Sequence, residues 1–367
     1  MGGATTTTSV HDLLRRVVET DASDLHMTAG APPVLRINGR LVPEQGPALT
    51  PEATAQALHE VASDEQRASF AREQELDFAY SVAGGGRFRV NAAFQRGSVT
   101  LAFRPIRTAI PSLEELGLPE ICASLALRPR GLVLVTGPTG SGKSTTLAAM
   151  IDFLNERREQ HIVTIEDPIE FVHRHKRCVV SQREVGVDTG SFAAALKHVL
   201  RQDPDVILVG EMRDLETVGL ALTAAETGHL VLATLHTPSA SQTIDRVIDS
   251  FPPHQQQQVR VQLSTVLEAV LCQTLVPRAD GSGRVAALEI MMATSAVRNL
   301  IREGKTYQIP NVIQTGSQQG MQSLEQSLAL LARKGVISRE DALAVSSSPG
   351  ELERLLGGAV SRTAAGA

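Results

Sequence analysis

The chain has 367 residues, of which 42% are hydrophobic, and its length suggests roughly two or three domains with packed cores. Its formal net charge of −5 argues against a general nucleic-acid binder, which would carry a basic surface. The three cysteines, Cys122, Cys178 and Cys272, form no Cys-x-x-Cys pair, and no apolar run approaches the roughly 18 residues needed to span a bilayer. These features argue against a zinc site, a disulfide framework and a membrane-spanning helix, and they fit a reducing cytosol.

The first part of the chain predicts a small α/β domain. Residues 1–9 form a Gly/Thr-rich leader that we expect to be disordered, and residues 10–104 form the amino-terminal domain. The run 34–41 predicts two short strands around an Asn-Gly turn, and Thr50 is expected to begin a helix. Alternating apolar and polar residues predict antiparallel strands at 77–82, 87–94 and 98–103.

The second part predicts a larger α/β domain. Prolines punctuate residues 105–130, which we interpret as an inter-domain linker, and residues 131–357 form the second domain before a tail at 358–367. The chain from 238 to 346 is predicted to be mostly helical, except around 286–292. The candidate strands alternate with helices and lie at 132–136, 162–165, 206–209 and 230–234. This order predicts a mostly parallel sheet flanked by helices.

Residues 137–144 read Gly-Pro-Thr-Gly-Ser-Gly-Lys-Ser, a complete phosphate-binding loop between a predicted strand and a predicted helix. Its glycines let backbone N–H groups point at an anion, and the helix start adds partial positive charge. Lys143 would reach the β- and γ-phosphates of ATP, and the Ser144 hydroxyl would ligate Mg²⁺. The predicted nucleotide-binding residues here are Gly137, Pro138, Thr139, Gly140, Ser141, Gly142, Lys143, Ser144 and Thr145.

Two acidic segments are candidates for the carboxylates that an ATPase needs beside Mg²⁺ and the attacking water. The predicted strand 206–209 is followed by Gly210 and Glu211. The strand before it delivers Glu166, Asp167 and Glu170 at its carboxyl end. We expect Glu166 to position or activate water and Glu211 to lie near Mg²⁺, although the two roles could be exchanged.

Histidines and arginines are the remaining candidates for contacts with a triphosphate. His229 and His236 flank one apolar strand, and an imidazole beside a γ-phosphate can sense its presence. Arginine binds phosphate through two parallel hydrogen bonds and can act from a neighbouring subunit, although any one of these arginines could equally be a solvated surface residue. The candidates are Arg201 and Arg213 in the second domain and Arg87, Arg89, Arg96 and Arg104 in the first.

Taken together, these segments resemble the secretion ATPase superfamily that drives type IV pili and type II secretion. The family's Walker A, Asp box, Walker B and His box correspond, in the same order, to 137–144, 164–170, 201–214 and 227–237. Residues 23–26 and 86–91 are similar to the family's amino-terminal domain. The resemblance implies an α/β fold with a PAS-like amino-terminal domain and a RecA-like P-loop core that has a helical carboxyl-terminal part.

Within the superfamily, residues 296–303 resemble a segment associated with pilus retraction motors, with Val297 in place of Ile. Assembly motors usually carry an extra amino-terminal domain and a four-cysteine zinc site, neither of which is visible in this sequence. The resemblance implies a homo-hexameric, ATP-hydrolysing and Mg²⁺-dependent motor that drives type IV pilus retraction and twitching motility. It would lie in the cytoplasm at the inner-membrane base of the pilus machine and act on a platform protein there.

The resemblance also assigns the basic residues. It implies that His229, His236, Arg201 and Arg213 make γ-phosphate and inter-subunit contacts, and less directly that Arg89 and Arg104 bind nucleotide. An assembly motor of the same superfamily is one alternative. A nucleic-acid translocase on a P-loop core is another, but the chain has no Trp and only two Tyr for a strand to stack on.

Overall fold

The computed structural model describes residues 9–37, 39–82, 86–106 and 109–357. Most of the predicted leader, the predicted tail and Asn38 of the predicted Asn-Gly turn lie outside these ranges. The chain divides into two compact units, residues 1–109 and 110–367. The division therefore falls inside the segment that was predicted to be a linker.

The first unit is built on one antiparallel sheet. Its helices are α1 (Val10–Glu19), α2 (Pro51–Val61) and α3 (Asp64–Glu73). Its strands are β1 (Asp24–Thr28), β2 (Val34–Ile37), β3 (Arg40–Pro43), β4 (Glu75–Val82), β5 (Gly86–Gln95) and β6 (Ser98–Ile106). The strand order is β3-β2-β1-β6-β5-β4, and the strands at 77–82, 87–94 and 98–103 are confirmed. The alternation is readable because one face of each strand is buried, as with Phe88 and Val90 on β5.

The second unit contains a seven-stranded sheet with helices around it. Its strands are β7 (Gly131–Thr136), β8 (His161–Glu166), β9 (Val179–Glu184), β10 (Val206–Val209), β11 (Leu230–Leu235), β12 (Leu267–Pro277) and β13 (Arg284–Met292). The helices are α4 (Glu120–Ala126), α5 (Lys143–Asn155), α6 (Phe192–Val199), α7 (Leu215–Glu226), α8 (Ala240–Asp249), α9 (Pro253–Val266), α10 (Ser295–Glu303), α11 (Ile309–Thr315), α12 (Leu324–Arg333), α13 (Arg339–Val345) and α14 (Pro349–Gly357).

The strand order in this sheet is β13-β12-β7-β11-β10-β8-β9. All neighbours pair in parallel except β12 with β13. The four strands expected from the sequence are confirmed as β7, β8, β10 and β11. Because these strands are parallel, their carboxyl ends lie at one edge of the sheet, which is where ligands bind in open α/β folds.

The expectation of a mostly helical chain from 238 to 346 was wrong for residues 267–277. They form β12, which is buried along most of its length and pairs with β7 and β13. A strand covered on both faces shows a continuous apolar run instead of alternation, so its sequence resembles that of a buried helix.

The segment 105–130 is more structured than a linker. Strand β6 extends to Ile106, and α4 lies within the segment. Leu113, Cys122 and Leu125 are buried in the core of the second unit. The part of the segment after residue 109 belongs to the second unit. In the described part of the chain, no helix is both long and apolar enough to cross a bilayer.

Candidate active site

The phosphate-binding loop connects β7 to α5 and packs closely on β12. Gly137 has φ +138° and Gly142 has φ +86°, which only glycine adopts readily. A Cβ built on Gly137 would lie 2.2 Å from the backbone oxygen of Gln273. Glycine is therefore required at this position both by conformation and by the close approach of a neighbouring strand.

The side chain of Gln273 holds the loop from the inside. Its Nε2 donates to the backbone oxygen of Ser141 at 2.7 Å, and its Oε1 accepts from the Thr146 hydroxyl at 2.7 Å. Gln273 is buried, so these contacts are protected from water. Sequence reasoning missed this residue; the available signal was one polar amide inside an apolar run.

A glycine substitution tests this packing. We expect Gly137→Ala to lower the free energy of unfolding by about 3 kcal/mol or more, because the methyl group would meet a buried backbone oxygen at an unfavourable φ. Gly140→Ala is the matched control: it also has positive φ but nothing lies within 4 Å of its Cβ, so it should cost only about 1–2 kcal/mol. Urea unfolding of the two variants measures the difference, and equal losses would contradict the close-packing argument.

Lys143 is the cation of the loop. Its Nζ donates to the backbone oxygens of Gly137 at 2.9 Å and Pro138 at 3.0 Å, and it lies 3.5 Å from His236 Nδ1. The side chain is only 8% exposed. Burial lowers the pKa of Lys143, and the carboxylate of Glu211 opposes that shift. The ammonium group is thus fixed in the loop, where a polyanionic ligand would stabilise it.

Ser144 lies beside a carboxylate. Its hydroxyl donates to Glu170 Oε1 at 3.0 Å. Across the described ranges, no group of three or more His, Cys, Asp or Glu side chains is placed to hold a metal ion. Mg²⁺ commonly binds through one or two protein oxygens, several waters and the phosphates of the nucleotide. A hydroxyl next to a carboxylate fits that kind of ion.

Glu211 is held as an ionised carboxylate. Its Oε1 lies 3.0 Å from His236 Nε2, and the same oxygen accepts from Arg213 Nε in an ion pair. Burial alone would raise the pKa of Glu211, but the hydrogen bonds from Arg213 and His236 outweigh it and lower the pKa. Glu211 therefore contributes fixed negative charge at neutral pH.

Glu166 lies in a different environment. Its Oε1 accepts from the Thr164 hydroxyl at 2.6 Å and from Gln182 Nε2 at 3.1 Å. Burial raises the pKa of Glu166, and these neutral donors only partly oppose the shift. Two neighbouring carboxyl groups with pKa values moved in opposite directions are the usual signature of separate roles. The raised pKa suits a proton acceptor, which favours Glu166 over Glu211.

These groups share a cavity of about 380 Å³ at the carboxyl edge of the second unit's sheet. The predicted residues lining it are Thr139, Gly140, Gly142, Lys143, Ser144, Thr145, Glu166, Glu211, Arg213 and His236. Other lining residues that sequence reasoning did not identify as site residues include Phe171, His173, Phe192, Leu275 and Arg284. The structure therefore brings most of the predicted site residues of the second domain together in one pocket.

Three of the predicted loop residues, Gly137, Pro138 and Ser141, do not line the cavity, and His229 and Arg201 lie at the other edge of the sheet in their own chain. His229 precedes β11, and its Nδ1 lies 2.9 Å from the backbone oxygen of Ala224. It stands about 23 Å from His236 along the strand, seven residues further on at about 3.3 Å per residue. Arg201 is exposed and precedes β10, again at the amino edge of the sheet. Residues at the two ends of a strand are close in sequence but lie at opposite edges of a parallel sheet.

Four candidate arginines belong to the first unit, and the resemblance implies nucleotide binding for two of them, Arg89 and Arg104. Arg89 on β5 and Arg104 on β6 are cross-strand neighbours. Arg104 contacts Asp24 at 2.8 Å, and Arg89 lies 3.7 Å from Asp77. Each arginine therefore has an acidic partner within its unit, and a role in nucleotide binding stays a prediction.

Comparison with known proteins gives consistent matches. Residues 108–344 match the family model described as type II/IV secretion system protein. The chain is 53% identical to the type IV pilus retraction ATPase PilT of Pseudomonas aeruginosa, over 91% of this chain and 96% of that one. It is 48% identical to the type IV pilus ATPase PilU of the same bacterium, over 94% of this chain and 90% of that one. A crystal structure of the pilus retraction motor PilT with bound ADP aligns with a TM-score of 0.88 and 50% identity, covering 94% of this chain and 99% of that one.

Proposed function

The chain belongs to the type II/IV secretion system protein family, and we propose that it is an ATP-hydrolysing motor that drives type IV pilus retraction. The observation that carries the proposal is the single pocket that joins a phosphate loop to two carboxyl groups of opposite pKa shift. ATP hydrolysis needs a cradle for the phosphates, charge beside the metal and a group that orients water. Lys143 contributes to the phosphate cradle, Glu211 supplies the charge beside the metal, and Glu166 orients the water.

The phosphate loop binds the nucleotide. Backbone N–H groups at the start of α5 and the Lys143 ammonium would hold the β- and γ-phosphates. The residues that would hold Mg²⁺ are Ser144 and Glu211, and the ion would neutralise charge on the phosphates. The crystal structure of the related PilT contains bound ADP, which supports nucleotide binding by this chain.

Glu166 would accept the proton of the attacking water. The side chains that donate to its half-buried carboxyl group, Thr164 and Gln182, are neutral, and the third donor is the backbone N–H of Glu170. Because no cation pairs with it there, the carboxyl group keeps the basicity that proton transfer needs. His236 lies between Lys143 and Glu211, at 3.5 Å and 3.0 Å. An imidazole in that position would sense whether a γ-phosphate is bound.

A dependence of turnover on pH follows from the environment of Glu166. A proton acceptor works only when deprotonated, so turnover should fall as pH drops through its pKa. Because burial raises that pKa, the loss should begin at a higher pH than for an exposed glutamate, whose pKa is about 4.3. The measurement is turnover at saturating Mg²⁺-ATP as a function of pH on the acidic side, with circular dichroism as a control for unfolding. Full activity down to the pKa of an exposed glutamate would contradict the assignment.

We further propose that the protein works as a homo-hexamer at the inner-membrane base of a pilus machine, through a platform protein. Arg201 and His229 support subunit contacts, because both lie away from the pocket of their own chain and stay accessible at the amino edge of the sheet. The six-stranded antiparallel sheet with three helices supports a PAS-like first unit.

The enzymatic part of the proposal has a direct test. The purified protein should hydrolyse ATP in a Mg²⁺-dependent manner and elute as a particle about six times the mass of one chain. Single-stranded DNA should neither bind with salt-dependent affinity nor stimulate turnover. Stimulation by DNA would favour a translocase, and absence of hydrolysis under all these conditions would contradict an ATPase.

A further inference from the structure

We propose that Gln182 is a positioning residue for ATP hydrolysis: its side-chain amide fixes the Glu166 carboxylate so that Oε2 faces the attacking water. The inference rests on the proposed function, because it concerns the proton acceptor of that reaction. Gln182 lies on β9, at the edge of the sheet, and sequence reasoning gave it no role.

One oxygen of the Glu166 carboxylate accepts hydrogen bonds from two protein side chains. Its Oε1 accepts from the Thr164 hydroxyl at 2.6 Å and from Gln182 Nε2 at 3.1 Å. A carboxylate oxygen has two lone pairs, so Oε1 is filled. The backbone N–H of Glu170 also faces this carboxyl group. Even with that contact, Oε2 keeps capacity to accept a hydrogen bond from water.

The orientation of the Gln182 amide is determined by its partners. Its Oε1 accepts from the backbone N–H of His173 at 2.8 Å, and its Nε2 donates to the backbone oxygen of Phe171 at 2.9 Å as well as to Glu166. A flipped amide would place its oxygen against a carbonyl and a carboxylate and its NH₂ against an N–H. Both N–H donors and the oxygen are engaged, so the donor aimed at Glu166 cannot rotate away without losing three hydrogen bonds.

Sheet register explains why the two donors meet at one oxygen. Thr164 on β8 pairs directly with Gln182 on β9, so their side chains stand side by side on the same face. Glu166 lies two residues beyond Thr164 and projects from that face as well. The parallel pairing of β9 with β8 thus places two hydrogen-bond donors beside the carboxylate of Glu166.

The neutral character of Gln182 matters for the chemistry. The other charged and titratable groups that line the cavity with Glu166 are Lys143, Asp167, Glu170, His173, Glu211, Arg213, His236 and Arg284. A cationic side chain at position 182 would orient the carboxylate equally well but would pair with it and weaken it as a base. An amide orients the carboxylate without that loss.

The test compares Gln182→Met with the parent enzyme at saturating and limiting ATP. Methionine keeps the volume and removes both donors, so we expect kcat to fall about tenfold while KM for ATP changes less than about twofold. Gln262→Met is the matched control, because Gln262 lies on α9 outside the cavity and its Nε2 donates to Glu226 Oε2 on α7 at 2.8 Å. It should keep the parental kcat.

A double-variant cycle shows whether Gln182 acts through Glu166. In a Glu166→Gln background, Gln182→Met should cause no further loss, because the group it positions is already gone. An equal loss in both backgrounds, or a higher KM with unchanged kcat, would overturn the proposal.

A second variant serves if Gln182→Met melts well below the parent. Gln182→Glu then replaces it, because the glutamate keeps an acceptor for the His173 N–H. That variant should lose kcat more strongly, since its carboxylate repels Glu166. Failure of the parent enzyme to hydrolyse ATP would instead contradict the proposed function itself.

Discussion

Replacing Lys143 with alanine is expected to abolish ATP hydrolysis, with kcat/KM lowered by at least about 10²-fold. Lys143 is the loop's cation, is 8% exposed and is held by two backbone oxygens of the phosphate loop. Its removal would leave the carboxyl groups of Glu211 and Glu170 facing a triphosphate without this compensating charge. Steady-state hydrolysis and ATP affinity by calorimetry measure the two consequences separately.

The control for this prediction is Lys197→Ala. Lys197 lies on α6 and forms an exposed ion pair with Glu216. Exposed pairs contribute roughly 0–1 kcal/mol, so this variant should fold and hydrolyse ATP normally. Similar losses in the two lysine variants, or normal turnover by Lys143→Ala, would mean that the loop does not bind the phosphates as described.

The second large effect is expected for Glu166→Gln, with kcat lowered by about 10² or more and ATP binding retained. The substitution keeps the volume and removes the proton acceptor, while the donors Thr164 and Gln182 can still pair with the amide oxygen. The comparison with Glu211→Gln is decisive for the assignment of roles. That variant should require more Mg²⁺ for half-maximal activity, because a fixed carboxylate beside the ion is lost.

Titration of activity with Mg²⁺ and equilibrium ATP binding distinguish the two glutamate variants. The sequence left the roles of Glu166 and Glu211 exchangeable, whereas their opposite pKa shifts favour one assignment. If Glu211→Gln binds Mg²⁺-ATP normally and does not turn over, while Glu166→Gln needs extra Mg²⁺, the roles are the reverse of those proposed here.

Much of the second unit's sheet was predictable because its strands are short apolar runs delimited by polar residues. Strands β7, β8, β10 and β11 read in this way, and the phosphate loop fixes which end of β7 binds the ligand. The carboxyl ends of parallel strands share an edge, so the meeting of Lys143, Glu166 and Glu211 follows from strand order alone.

The supporting contacts were not predictable, because they depend on register between distant segments. Gln273 reaches the loop from a strand more than a hundred residues away, and Gln182 reaches Glu166 from the neighbouring strand. A single sequence contains no signal for either pairing beyond a polar amide in a strand.

Shared membership of a motif does not place two residues in the same cavity. His229 and His236 belong to one short motif, yet a six-residue strand separates them and places them at opposite edges of the sheet. Only His236 lines the cavity of its own chain. The contact with a neighbouring subunit that the resemblance implies for His229 stays a prediction.

The central claim, that ATP hydrolysis here drives pilus retraction, is tested most directly by counting surface pili and measuring twitching in a host that lacks the gene. The host should then be complemented with the parent sequence or with Lys143→Ala. We expect excess pili and lost movement in the host without the gene, with both defects corrected by the parent sequence and not by Lys143→Ala. Bald cells would contradict it, because they would show that the motor assembles pili instead of retracting them.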